Sequence, residues 1–204
     1  MRNLVIYGAG GHGHAVSNLA LDLGFKEQVF IDPFTNLTSL NNYSILKEID
    51  KDVSTESLIV IAVGSIADRK KIFNEIENSF EKSNFVNLIH PTSVISNNSV
   101  LGIGNVIFPK VVLGAKVEVG NFGIINTASV IEHDSKIGDF VNFSPGVICG
   151  GNVNIGSNSL IGIGAIIRNG ITVSNDSIIG PAAYVNRNTD SYKKYYGIPA
   201  KTED

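Results

Sequence analysis

From Ile95 to Val185 every sixth residue is apolar without a break: Ile95, Leu101, Ile107, Leu113, Val119, Ile125, Ile131, Ile137, Phe143, Cys149, Ile155, Ile161, Ile167, Val173, Ile179 and Val185. A period of six fits neither the 3.6 of a helix nor the 2 of a simple strand, and it persists over about 90 residues. The position after the apolar residue is often glycine (Gly102, Gly114, Gly120, Gly138, Gly150, Gly156, Gly162, Gly180), and the fourth after it is often small or β-branched. This reads as short strand, tight turn, short strand. With three such sides, roughly eighteen residues close one coil, stacked coils pair each strand with those above and below, and the sixth-residue side chains fill the axis. About five coils of a hexapeptide-repeat β-solenoid follow from this count. Such a solenoid is a scaffold first, and its repeat alone proves no catalysis.

The preceding ninety residues have a different rhythm. Asn3 to Tyr7 reads as a strand, followed by Gly8-Ala9-Gly10-Gly11-His12-Gly13 and a helix with apolar residues Ala15, Val16, Leu19, Ala20 and Leu23, stopping at Gly24. A second strand, Gln28 to Ile31, ends in Asp32-Pro33, and a third, Leu58 to Val63, ends at Gly64. A helix carrying Ile66, Ile72, Phe73, Ile76 and Phe80 and a last strand, Phe85 to Ile89, complete the pattern. Strand and helix alternating in this way predict a small Rossmann-like α/β domain with a parallel sheet. The expected organisation is an α/β domain over 1–90, a parallel β-helix over 91–190 and a tail over 191–204.

The 204 residues carry a net charge of -3 and are 43% apolar, ordinary for a folded chain and without general attraction for nucleic acid or anionic lipid. The glycine- and histidine-broken start reads as neither a secretion signal nor a membrane span, so a cytoplasmic location is expected. One cysteine excludes an internal disulfide, and Cys149 falls in the inward column, where a small buried hydrophobe is the natural reading.

Gly8, Gly10 and Gly13 fit G-x-G-x-x-G, with Asp32 where a ribose-binding carboxylate stands in a dinucleotide fold. Glycines let the backbone approach a phosphate, and the helix start after Gly13 offers unpaired N–H groups and positive dipole. The domain is about half the size of a two-part dinucleotide fold, so a mononucleotide or nucleotide sugar fits better than NAD. A purely structural tight turn is the other reading. His12 and His14 flank Gly13 without the further ligands a metal needs, and no metal is expected. His90, before Pro91, reads as structural.

His133 is the one histidine among the repeats, at a turn position of Ile131-Glu132-His133-Asp134-Ser135-Lys136. A neutral imidazole can take a proton, and an adjacent carboxylate, Asp134 or Glu132, can orient it. One coil of about eighteen residues onward lies Gly151, whose missing side chain leaves room beside the imidazole and exposes a backbone N–H. General base and oxyanion donor would then be stacked neighbours. A solvated turn histidine is the alternative that these residues leave open.

The glycine turn, Asn126-Thr127-Ala128-Ser129-Val130-Ile131-Glu132-His133-Asp134, Gly150-Gly151-Asn152-Val153 and Gly197-Ile198-Pro199-Ala200-Lys201 together resemble the sugar O- and N-acetyltransferases of the left-handed β-helix superfamily. The resemblance extends to Lys26-Glu27, Arg69-Lys70-Lys71-Ile72 and Val86-Asn87-Leu88-Ile89-His90. It implies a left-handed coil, a homotrimer, acetyl-CoA lying along the solenoid between subunits, and a UDP-linked amino sugar of the UDP-N-acetylbacillosamine type held on the α/β domain. It also implies that Gly10, Gly11, His12, Asp32, Pro33, Gly64 and Asn126 contact the nucleotide sugar. His133 would be the base, Asp134 would raise its basicity, and Gly151 would supply the oxyanion N–H. Around acetyl-CoA the implied positions are Asn142, Ile163 and Pro181, of which Asn142 stands in place of a histidine and Pro181 in place of a glycine, as Pro33 stands in place of a second acidic residue. The activity implied is N-acetylation of a 4-amino group. The rival readings are O-acetylation of a sialic acid or related sugar, and a non-catalytic solenoid scaffold.

Overall fold

The computed structural model describes residues 3–49, 53 and 56–202, and the chain divides into two compact units, Met1–Pro91 and Thr92–Asp204. The first unit contains, in chain order, β1 (Leu4–Tyr7), α1 (Gly11–Asp22), β2 (Gln28–Ile31), β3 (Ser39–Leu40), β4 (Tyr43–Leu46), β5 (Leu58–Ile61) and α2 (Ile66–Ile76). The sheet order is β3-β4-β2-β1-β5. β1 pairs in parallel with β2 (Val5 opposite Val29) and with β5 (Val5 opposite Ile59). Leu4, Val5, Ile6, Phe30, Ile31, Ile59 and Val60 are fully buried, which is why these strands read as unbroken apolar runs. α1 turns Val16, Leu19 and Ala20 inward and ends where Gly24 takes φ +87, the left-handed position that closes a helix.

Several boundaries differ from the sequence expectation, and α1 begins at Gly11 with Gly10 as its N-cap rather than after Gly13, which lies buried within the helix. β5 stops at Ile61 rather than Val63, because the carbonyls of Val63 and Gly64 turn to accept from Arg69 Nη1 at 2.8 and 3.2 Å. α2 ends at Ile76, short of Phe80, which is buried beyond the helix. The strand expected over Phe85 to Ile89 is reduced to a bridge between Phe85 and Ile59 and a short strand at Leu88–Ile89, since the backbone enters it from a 3-10 turn at Lys82–Asn84. β3 and β4 form an unexpected antiparallel hairpin through Asn41 and Asn42 at φ 52 and 66, the two-residue turn that matches strand twist.

In the second unit, two-residue strands recur every six residues and pair in parallel with strands eighteen residues away, as Leu113 with Ile95 and Ile131 with Leu113. Three sheets form the sides. The first stacks outward-facing Val94, Val112, Val130, Ile148, Ile166 and Tyr184. On the second stand Val100, Glu118, Lys136, Asn154 and Thr172, and on the third Val106, Ile124, Asn142, Leu160 and Ile178. The sixth-residue column is buried from Ile107 to Val185, and Cys149 lies wholly inside, where burial pushes its thiol up and leaves it unreactive. Ile95 and Leu101, in the first coil, are only half-buried.

The glycines that directly follow the column residues do not make the turns. Positive φ falls two residues later, at Gly104, Lys110, Lys116, Phe122, Ala128, Asp134, Phe140, Gly146, Asn152, Asn158, Gly164, Gly170, Asp176 and Ala182. Glycine after the column residue is required by stacking: a Cβ on Gly114 would sit 2.8 Å from His133 N in the next coil, and one on Gly150 2.7 Å from Asn169 N. Buried serines fill the corners and bond carbonyls fifteen residues on, Ser129 to Ser144 at 3.1 Å and Ser159 to Ser174 at 3.1 Å. The segment expected as an unassigned tail continues the third side. Lys194–Tyr196 pairs in parallel with Ile178–Ile179, and Lys201–Thr202 folds back on it. Residues 203 and 204 of that segment lie outside the described residues. No described helix is long and apolar enough to cross a membrane.

Candidate active site

At the carboxyl ends of β1, β2 and β5 opens a cleft of about 490 Å³ lined by Tyr7, Gly8, Gly10, Gly11, His12, Asp32, Pro33, Phe34, Val63, Gly64 and Ile72 among others. The chain runs outward from β1 to β2 in one direction and places β5 on the other flank of β1, so the cleft lies at the point where strand order reverses, the place ligands occupy in open α/β sheets. Of the expected nucleotide-contacting residues, Gly10, Gly11, His12, Asp32, Pro33 and Gly64 are gathered here.

The glycines divide by cause. A Cβ on Gly8, which has φ +110, would lie 2.8 Å from the Ala62 carbonyl oxygen, and one on Gly13 would lie 2.1 Å from that of Gly8. These two glycines are demanded by the packing of β1, α1 and β5. Gly10 and Gly11 have open space around the same position and no positive φ. Nothing in the fold requires them bare, and the backbone there is open to close approach. Gly10 is the N-cap of α1 with no side-chain cap, so the helix start presents its N–H groups and dipole there.

Asp32, expected to bind ribose, is engaged by the chain's own backbone. Its Oδ2 accepts the Ala9 N–H at 2.9 Å, and its Oδ1 accepts those of Phe34 at 2.9 Å and Thr35 at 3.1 Å. Burial pulls this carboxyl upward, but the three N–H donors and Lys47 outweigh it and hold the group below the usual range. Burial first, and then Arg69, lower His12 to about 4, so its imidazole is neutral at pH 7. Burial alone lowers Arg69 to about 10, which leaves its guanidinium charged. Tyr7 is raised by burial and by the carboxylates of Glu75 and Asp32. Arg69 is 1% exposed; within Arg69-Lys70-Lys71 it reads in sequence as part of a solvated charged run, and only its i+3 and i+7 spacing to Ile72 and Ile76 marks it as inward. His14 is exposed, and His90 Nε2 lies 3.4 Å from Asp22 Oδ2 at the end of α1. Among the described residues no group of three or more His, Cys, Asp or Glu is arranged to hold a metal.

On the solenoid, the turn 132–135 leads from the first side to the second and carries His133 and Asp134. The His133 ring lies over Gly151: a Cβ there would be 2.6 Å from both Cε1 and Nε2. Nδ1 is 2.8 Å from Asp134 Oδ2, so Asp134 rather than Glu132 is the carboxylate on the ring. Asp134, at φ 59, also has Lys116 Nζ 3.9 Å from Oδ1. The His133 hydrogen bond and Lys116 hold this carboxyl below its ordinary range. Asn152 N–H donates to the His133 carbonyl at 2.7 Å, locking the two layers together. The buried Ser135 hydroxyl accepts from Val153 N–H at 3.1 Å and stands 3.4 Å from the Gly150 carbonyl, on the peptide whose N–H belongs to Gly151.

Asn126, Ile163 and Pro181 share the neighbouring edge, where the third side turns into the first. Ile163 and Pro181 are exposed and one coil apart, and half-buried Asn142 projects from the third side itself. Both edges border the first side, whose outward ladder is apolar and includes Val94, Ile148 and Ile166 at 64%, 47% and 44% exposure. Sequence spacing located His133 over Gly151 but not this face, because its residues alternate with the inward column and look like ordinary strand neighbours.

Residues 3–76 match the PglD N-terminal domain family. The curated UDP-N-acetylbacillosamine N-acetyltransferase of Bacillus subtilis (strain 168) is 30% identical over 123 residues, 52% of this chain and 51% of that protein, so the match spans about half the length of the curated relative. The solved acetyltransferase domain of PglB from Neisseria gonorrhoeae FA1090, in complex with acetyl coenzyme A, is 33% identical over 99% of both chains with a TM-score of 0.91. A histidine-to-alanine mutant of GDP-perosamine N-acetyltransferase from Caulobacter crescentus, in complex with CoA and GDP-perosamine, is 26% identical over 100% of this chain and 98% of that one, with a TM-score of 0.90. An α/β unit and a hexapeptide solenoid shared end to end with a relative above 30% identity settle the kinship: the chain belongs to the β-helix sugar acetyltransferases that carry a PglD-type N-terminal domain.

Proposed function

We propose that the protein transfers the acetyl group of acetyl-CoA to the 4-amino group of a UDP-linked amino sugar of the UDP-N-acetylbacillosamine type. The observation that carries this reading is the His133 imidazole packed over Gly151 with Asp134 on its Nδ1. With Nδ1 engaged, Nε2 is the nitrogen left to take a proton. As the sugar nitrogen attacks the thioester carbonyl carbon, a C–N bond forms and Nε2 accepts the proton that nitrogen sheds. The carbonyl oxygen gains the negative charge and accepts a hydrogen bond from the Gly151 N–H. Collapse breaks the C–S bond, and the thiolate of CoA leaves and recovers the proton. Transfer is direct, with no acyl group on the enzyme.

The nucleotide end of the substrate belongs in the α/β cleft. Gly10, Gly11 and the start of α1 face the diphosphate, and His12, Asp32, Pro33 and Gly64 border it. Asn126 adds a sugar contact, and Asn142, Ile163 and Pro181 border acetyl-CoA. The relatives bound to acetyl-CoA and to CoA with GDP-perosamine support this pair of ligands. The apolar first side supports the homotrimer of this proposal: a neighbouring copy laid on it would cover Val94, Ile148 and Ile166 and meet the edges that carry His133 and Ile163. A cytoplasmic location, where acetyl-CoA is available, belongs to the same proposal.

The test is thiol release from acetyl-CoA with a panel of UDP- and GDP-linked 4-amino sugars and free sialic acids. A UDP-amino sugar is expected to turn over best, and His133→Ala to lower kcat by about a hundredfold or more with little change in KM. Turnover of sialic acid alone, or near-normal turnover by His133→Ala, would overturn the reading.

A further inference from the structure

Phe34 is 88% exposed and yet lines the α/β cleft beside Gly10, Gly11 and His12. A single exposed apolar side chain is ordinary on a protein surface. What distinguishes this one is the effort spent on placing it. Asp32 Oδ1 accepts the N–H groups of Phe34 and of Thr35, and Lys47 Nζ donates to the Thr35 carbonyl, so the backbone on which Phe34 stands is held from both sides. The other oxygen of the same carboxylate accepts the Ala9 N–H at 2.9 Å, which ties this turn to the glycine loop. One side chain therefore fixes the position of the aromatic residue relative to Gly10 and Gly11. Pro33, immediately before it, removes a further backbone rotation.

The cleft thus has two chemically distinct ends. Around Gly10 and Gly11 it offers bare backbone and the N-terminus of α1, suited to an anionic group. At its rim it offers a flat apolar ring, with Val63 and Ile72 supplying further apolar lining. A molecule that is anionic in the middle and planar and aromatic at one end satisfies both.

We infer that Phe34 is the platform on which the nucleobase of the nucleotide-linked substrate stacks. The inference rests on the cleft being the nucleotide-sugar site and adds to it a specific residue for the base. Stacking is indifferent to base identity because every base has a π-face, so Phe34 supplies affinity and leaves the choice between bases to other groups. It also explains why an aromatic residue stays exposed on a turn anchored three times over: the ring is covered when the substrate arrives.

The chain contains no tryptophan, so Phe34→Trp introduces a single indole at the cleft mouth, which is excited selectively over the six tyrosines. UDP is titrated by calorimetry into the wild type and into Phe34→Ala, Phe34→Leu and Phe34→Trp, with size-exclusion chromatography of each. Phe34→Ala is expected to weaken UDP binding about ten- to a hundredfold. Phe34→Leu, apolar but not flat, should fail to restore it, whereas Phe34→Trp should bind at least as tightly as wild type and lose emission on saturation. A wild type that binds no nucleotide removes the cleft assignment and the stacking role together. If the wild type binds UDP, the stacking role alone fails when Phe34→Ala binds equally well, when Phe34→Leu binds like wild type, or when Phe34→Ala changes the oligomeric state instead of the affinity.

Discussion

His133 and Gly151 stand one coil apart in one edge of the solenoid, and the ring of the first occupies the space where the second would carry a Cβ, 2.6 Å from its Cε1 and Nε2. Gly151 does not have positive φ, so alanine is allowed there by the backbone and only the imidazole opposes it. The ring is 60% exposed and has room to swing away. Gly151→Ala is therefore expected to leave stability within about 0.5 kcal/mol of wild type. Displacing a positioned base by about an ångström should lower kcat roughly tenfold to a hundredfold. Thermal unfolding beside steady-state kinetics reads both, and an unchanged kcat would show that the ring's seat on Gly151 is irrelevant to turnover.

Asp134 and His133 test each other. The hydrogen bond from His133, followed by the charge of Lys116, holds the Asp134 carboxyl below its ordinary range. Because the folded value is depressed, the pairing is intact above the ordinary carboxylate range and is lost as pH falls through the lower folded value. His133→Ala should let the Asp134 carboxyl titrate at a higher pH, measurable by carbon NMR of the side chain. Asp134→Asn keeps a residue that tolerates φ 59 and removes the charge. It should fold normally and lower kcat about tenfold or more with KM little changed.

The axial column was legible because burial enforces it at every layer: a polar residue at Ile131 or Ile161 would face the axis with no water and no partner. The αL ladder was not, since Lys110, Phe122 and Ala182 carry no compositional mark of positive φ, and the layers above and below impose it through bonds such as Asp134 N–H to Ala115 O. The β3–β4 hairpin left a signal in Asn41-Asn42, a pair suited to positive φ at both central turn positions. For the site, spacing brought His133 to Gly151 because the coil length is fixed, whereas the cleft residues Tyr7, Phe34 and Ile72 come together only through the sheet order, which local periodicity does not contain.

His12 gives the α/β unit a pH dependence of its own. Burial and then Arg69 lower it to about 4 from an ordinary value of 6.5. The unfolded chain thus binds a proton that the folded unit refuses, so stability is complete above pH about 6.5 and declines as pH falls toward 4. The loss amounts to about 2 kcal/mol at pH 5. Denaturant unfolding of wild type and His12→Gln at pH 7.5 and 5.0 isolates this contribution: wild type should lose about 2 kcal/mol more than the variant over the interval. Parallel losses in the two proteins would mean that His12 is solvated.

The four glycines around α1 should separate into two classes by one pair of measurements. Alanine at Gly8 forces a side chain into φ +110 and against the Ala62 carbonyl, and alanine at Gly13 drives a Cβ to 2.1 Å from the Gly8 carbonyl oxygen. Backbone cannot give way there as a side chain can, so each change is expected to cost about 2 kcal/mol or more in stability. Gly10→Ala and Gly11→Ala meet nothing within 4 Å. Gly10→Ala should cost at most about 1 kcal/mol, from a poorer N-cap, and Gly11→Ala less. Both should nonetheless weaken UDP binding about tenfold, because the added methyl stands where a phosphate approaches the backbone. Folding stability and UDP affinity measured on all four variants decide it: stable Gly10→Ala and Gly11→Ala proteins that bind UDP as wild type does would place the nucleotide elsewhere.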